Sequence, residues 1–153
     1  MNGHWIHPNG YKLKWLRNEF WPSKSWPSIY RKAIREFRIN EEHPLTYMAQ
    51  DGCLLQPDRH MAETDLGTIP PPLRGLFPHD EFERSYILHD SGYRYGGLFL
   101  AYGLEQPFIF CKMSRAFIDE VLRESIIADG GTRARARTIW LAVRIGGKGF
   151  FDE

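Results

Sequence analysis

The chain has only two cysteines in 153 residues, Cys53 and Cys111, with no CxxC and no paired Cys and His at zinc-site spacing. Two thiols cannot build the dense disulfide framework on which small secreted domains depend, so both are expected to be reduced, and the commonest structural zinc sites are excluded. No stretch approaches the roughly 20 apolar residues that a membrane-spanning helix needs. The opening Met1-Asn-Gly-His-Trp lacks the basic-then-apolar order of a secretory signal, which points to synthesis in a cytoplasm. Internal repeats and low-complexity tracts are missing too.

What is present is the composition of a folded domain. Hydrophobic residues make up 42% and aromatics 14%, enough apolar surface to offset chain entropy, and the length suits one core. The net charge of +1 hides an uneven distribution. Residues 1–40 carry eight Lys/Arg against two Asp/Glu, residues 41–90 three against ten, and residues 91–153 nine against seven. Clustered carboxylates are costly unless solvated or neutralised, so the acidic middle is the first place to look for a cation.

The first forty residues interleave Trp5, Tyr11, Trp15, Phe20, Trp21, Trp26, Tyr30 and Phe37 with eight basic side chains. They read as a basic aromatic arm, with residues 41–153 as a single α+β domain. Such a mixture suits a nucleic-acid strand, an anionic membrane or a partner subunit; with no recognisable nucleic-acid module, tertiary or subunit packing ranks first. Pro22 and Pro27 break any long helix, leaving Ser28–Phe37 as a short one capped by Ser28. Asp51-Gly52 between short apolar pieces predicts a β-hairpin. The prolines at 70–72 hold the following stretch in an extended loop.

Beyond Pro78 the period becomes helical. Phe82, Tyr86, His89 and Tyr93 share one face of a helix from about Asp80, its expected N-cap, to Tyr95, ended by Gly96-Gly97. A loop containing Pro107 leads to Ser114, the cap of a second helix with the apolar stripe Phe117, Ile118, Val121, Leu122, Ile126. Thr132 caps a third, with Ile139, Trp140 and Val143 inward and Arg133, Arg137 and Arg144 on another side. The alternating arginines of 133–137 diverge on a helix, which reads as a solvated end. The expected fold is thus a small α+β unit, strands first and three helices last.

His89 is an unusual residue for a packing face. A neutral imidazole serves as a general base when an acceptor holds its second nitrogen, and Asp119, at the edge of the second helix's apolar stripe, is placed to do so if the two helices run antiparallel. Asp90, about 100° round from His89, can reach a cation beside the imidazole. Asp65 offers a second carboxylate, and the backbone carbonyls at Leu66 and its neighbours offer further oxygens, a donor set suited to calcium. His4, His7, His43 and His60 show no partner pattern and read as surface.

His89-Asp90-Ser91-Gly92-Tyr93-Arg94, followed about thirty residues on by Arg115-Ala116-Phe117-Ile118-Asp119, resembles the paired-helix core of the phospholipases A2, especially the bacterial and fungal type. Thr64-Asp65-Leu66-Gly67-Thr68-Ile69-Pro70 is similar to that type's calcium loop. The resemblance implies that His89 activates water, that Asp119 orients it, that Tyr93 hydrogen-bonds Asp119, and that Asp90, Asp65 and the Leu66 carbonyl hold calcium. A longer pattern ending in Trp140-Leu-Ala-Val-Arg-Ile-Gly146 resembles a family of uncharacterised small proteins common in bacteriophages and prophages, often among tail and lysis genes. The chain departs from secreted phospholipases in lacking their disulfides and in carrying prolines where the calcium loop has Gly-Cys-Gly, so the oxyanion donor is unidentified.

Three readings follow. The first is a calcium-dependent hydrolase of carboxylic esters, phospholipids among them. The second is a phage tail, baseplate or accessory protein that keeps the helix pair as scaffold and docks on other virion proteins through residues 1–40. The third, ranked last, is a phosphohydrolase-like metal site that would recruit His60.

Overall fold

The computed structural model describes residues 3–20, 31–66 and 81–146. Among them are eight strands and three helices. In chain order these are β1 (His4–Trp5), β2 (Tyr11–Phe20), β3 (Arg31–Ile39), β4 (Tyr47–Met48), β5 (Leu54–Gln56), β6 (Glu63–Thr64), α1 (Glu83–Tyr95), β7 (Gly97–Ala101), β8 (Ile109–Lys112), α2 (Arg115–Ala128) and α3 (Arg133–Gly146). The architecture is α+β, with two antiparallel sheets ordered β1-β4-β5-β7-β8 and β2-β3-β6.

The Asp51-Gly52 hairpin is present. β4 pairs with β5, Gly52 takes the left-handed φ of 87° that a tight turn demands, and the Asp51 carboxylate accepts from the Cys53 amide. Two other expectations fail. The helix expected at Ser28–Phe37 is a strand from Arg31 to Ile39, residues 28–30 lying outside the described set. Its β-branched and aromatic residues join a ladder with β2 from Tyr11↔Ile39 to Phe20↔Arg31, and Ile34 and Phe37 are buried. The stretch after Gly96 is also not a loop. Leu98-Phe99-Leu100 and Ile109-Phe110 pair as β7 and β8 and extend the first sheet, so strands also lie between the helices. Both misreadings have one origin: each strand is stabilised by cross-strand pairing, with β6 for β3 and β5 for β7 among the partners, which local periodicity does not report.

The described part of residues 1–40 belongs to both sheets. β1 pairs with β4, and β3 pairs on its other side with β6, Arg35 opposite Thr64. That pairing sets where β6 ends, and hence where Asp65 and Leu66 emerge.

Helix α1 is the centre of the molecule. Its N-cap position is Phe82, with φ 57° and no side-chain cap, rather than Asp80, which lies outside the described residues. Gly96, left-handed at φ 71°, closes it. From Ser85 to Tyr93 every residue is buried, so the helix is enclosed on all sides although its sequence is half polar. Tyr86, Ile87 and Leu88 join the core with Leu122, Ile126, Ile139 and Leu55, each large apolar side chain contributing about 1.5–3 kcal/mol. The polar residues must be answered individually. Ser85 accepts from Ser125, and Ser91 accepts from the Asp58 amide at 2.6 Å.

Helix α2 starts at Ser114, whose hydroxyl accepts from the Phe117 amide, and α3 starts after Thr132, which accepts from the Arg135 amide. Ile139 and Val143 are fully buried, whereas Trp140 is half-buried. At Gly92 a Cβ would fall 2.8 Å from Cγ2 of Ile118, so α1 and α2 approach closely there. No described helix is long and apolar enough to cross a membrane.

Candidate functional site

The close approach at Gly92 brings one turn of α1 against the first turns of α2. His89 Nε2 lies 2.8 Å from Asp119 Oδ1, and both side chains are essentially without exposure. Tyr93, one turn after His89, donates its hydroxyl to the same oxygen at 2.6 Å, and its ring sits 4.1 Å from the imidazole. Arg144, from the last turn of α3, donates to Asp119 Oδ2 at 2.9 Å. The sequence reading set Arg144 with Arg133 and Arg137 on a side other than the inward one; it reaches Asp119, which would otherwise be a buried anion with too few donors.

Arg115 has a different task from the pairing its i,i+4 spacing to Asp119 suggests. It stands 3.9 Å from the carboxylate, while its guanidinium donates to the carbonyls of Val143 and Arg144 and to the Tyr93 hydroxyl. It therefore caps the end of α3 and holds Arg144's backbone in place.

Burial alone would push the Asp119 carboxyl up. The hydrogen bonds from His89, Tyr93 and Arg144 outweigh it and hold the group below its ordinary range. An ionised Asp119 only accepts, so the Nε2 that faces it carries a proton, and in a neutral imidazole the lone pair then lies on Nδ1. Nδ1 is buried and has no hydrogen-bond partner among the described residues. An imidazole with one nitrogen fixed by a carboxylate and a lone pair on the other is the arrangement that a general base requires, here in a buried ring.

On the neighbouring face of α1, Asp90 is 3% exposed and accepts from Thr64 at 2.7 Å and from Arg94 at 3.2 Å. The Thr64 hydroxyl also accepts from the Leu66 amide, fixing Leu66 at a left-handed φ of 61°, uncommon for a leucine. Asp65 is buried beside them. Burial first, and the charge of Asp65 second, push the Asp90 carboxyl well above its ordinary value, against the opposing pull of Arg94 and Thr64. Asp90 and Asp65 thus lie together in a dry region, with the Arg94 guanidinium against Asp90. Among the described residues no three His, Cys, Asp or Glu side chains gather as a metal-holding group. The cation beside Asp90 is Arg94, one helical turn along. The rest of the expected calcium loop, Gly67 to Pro70, lies outside the described residues.

His60, the residue a phosphohydrolase-like site would need, stands at the surface against Asp58, its side chain 87% exposed. The residues that sequence reasoning left without a role are Thr64, Arg94, Arg144 and Ser91. Of these, Arg94 carried a readable signal, four residues after Asp90 on the same helix. Arg144 and Thr64 reach the site through tertiary packing and had none. No family model, curated protein or solved structure matches the chain.

Proposed function

We propose that this protein is a hydrolase-like protein of phage origin in which His89 activates water for attack on a carboxylic ester, a phospholipid being the substrate class that the phospholipase A2 resemblance implies. The observation that carries the reading is the unpartnered Nδ1 of His89, opposite an Nε2 that Asp119 holds. A general base needs a lone pair that no protein donor occupies, and Nδ1 meets that requirement among the described residues. In the proposed step Nδ1 takes a proton from water as the oxygen attacks the ester carbonyl. Asp119 stabilises the imidazolium that forms, and Tyr93 and Arg144 keep Asp119 in line. Positioned general-base catalysis of this kind contributes about 10²- to 10⁴-fold in rate. The ring is only 2% exposed, so water must reach Nδ1 inside the fold or through an opening of it.

The donor chemistry around Asp90 fits calcium. Two carboxylates and the Leu66 carbonyl are hard oxygen ligands, and the upward push that Asp65 exerts on Asp90 is a repulsion that a divalent cation relieves. Asp65, Asp90 and the Leu66 carbonyl would hold the ion, which when bound supplies polarisation of the ester carbonyl.

A second reading rests on Arg94. Its guanidinium already neutralises Asp90, which suits a tail, baseplate or accessory protein that keeps the helix pair as scaffold. In that case the outer strand β2, with Trp15 61% exposed between Lys14 and Leu16, offers a contact for other virion proteins.

The two are separated by following fatty-acid release from phospholipid vesicles with calcium, with chelator, and with His89→Gln. The hydrolase reading expects release with calcium only, lost in the variant. Equal blank rates in all three remove it and leave the scaffold reading.

A further inference from the structure

A concavity lies along the α2–α3 pair, away from His89 and Asp119. Two cavities of about 350 and 370 Å3 adjoin there and share Arg123 and Arg133 as lining residues. The second, the more open of the two, is also lined by Glu120, Arg137 and Trp140, and the first by Glu124. Arg133, Arg137 and Trp140 follow one another at steps of four and three along α3, so they form a single stripe on that helix.

The charge on this stripe is unanswered. Arg123 is held by Glu120, Arg135 diverges to Glu81 at 2.7 Å, and Arg144 is committed to Asp119. Arg133 and Arg137 have no carboxylate partner among the described residues, and the first turn of α3 carries no acidic side chain to offset them. Two unpaired guanidiniums about one turn apart, beside a half-buried indole, make a distinctive combination. Guanidinium forks match phosphate oxygens two at a time, an indole face accepts a flat aromatic ring, and each cavity has the size of a small-molecule site.

We propose that this trough is a binding site for a nucleoside phosphate, with the phosphate on Arg133 and Arg137 and the base on Trp140. Glu120, at its rim, is an acceptor for a sugar hydroxyl or an exocyclic amine. The adjacent carboxylate disfavours a continuous anionic surface and tolerates a discrete phosphate. The site is independent of the hydrolase reading: Arg133 and Arg144 are eleven residues apart, about 16 Å along the helix.

The test is calorimetric titration of the intact protein with ADP, GDP, adenosine and inorganic phosphate, and of vesicles containing phosphatidylglycerol. Saturable binding of ADP or GDP is expected, at least tenfold weaker in Arg133→Gln/Arg137→Gln and unchanged in Lys12→Gln/Arg38→Gln on the β2–β3 ladder. Trp140→Leu should weaken the nucleotides without altering inorganic phosphate. Both arginines are exposed, so the double variant keeps the fold, and its melting temperature verifies this. Absence of nucleotide binding, binding indifferent to the double variant, or binding to vesicles alone would each overturn the proposal.

Discussion

Replacing Asp119 by Asn tests the reasoning at its centre. The substitution keeps the shape and removes the charge. Asp119 receives three donors, from His89, Tyr93 and Arg144, and is fully buried. Hydrogen bonds to a charged acceptor contribute about 1.5–3 kcal/mol each. An amide oxygen can keep one or two of them, but the amide NH2 confronts at least one remaining donor, and Arg144 loses its counter-charge. The expected loss is about 3–5 kcal/mol, the range for breaking a buried charge pair, against a total stability of about 5–15 kcal/mol. Urea denaturation of both proteins at neutral pH measures it. The pH dependence supplies an independent check. The carboxyl is held below its ordinary 3.8, so its stabilising contribution is fully present above that value and is lost as pH falls through the lower folded value. The native protein should therefore lose its advantage over Asp119→Asn in acid, and the two stability curves should converge there. A variant within about 0.5 kcal/mol of the native protein at neutral pH, the scatter of ordinary surface substitutions, would refute the account.

Three further outcomes follow from the same geometry. His89→Gln should lower ester hydrolysis at least about 100-fold at saturating substrate, read as initial rate, while Tyr93 and Arg144 continue to satisfy Asp119. Gly92→Ala places a methyl 2.8 Å from Ile118 and should cost about 1–3 kcal/mol in thermal or chemical unfolding by wedging α1 from α2; an unchanged melting curve would mean the helices are not locked at that point. Thr64→Val removes a donor to Asp90 and the acceptor of the Leu66 amide, a loss of about 1–3 kcal/mol measurable by denaturation and smaller at low pH, where a protonated Asp90 needs the hydroxyl less.

The helices were legible because their signals are local. Ser114 and Thr132 act as caps, Gly96 ends α1, and the spacing of His89 and Tyr93 places both toward Asp119. Reading an antiparallel α1–α2 pair from these periods was enough to anticipate the contact between His89 and Asp119. The strands were less visible for the opposite reason. β3 looked helical because Pro22 and Pro27 precede a short apolar pattern, and its true partners, β2 and β6, are decided by pairing. β7 and β8 adjoin a Gly-rich, Pro-containing stretch that masks their alternation. Within the site, the sequence exposed the acids and the imidazole but not the donors that satisfy them, since Arg144 and Thr64 arrive from other elements.

One of the shortest strands has a wide reach. β6 is two residues long, hangs from β3, and ends where Thr64 grips Asp90. A pull on the outermost ribbon β2 crosses two hydrogen-bonded ladders, each about 4.8 Å wide, and arrives at the acidic pair with no slack backbone between. Any displacement of that ribbon is therefore passed to the position of Thr64 and, through it, to Asp90.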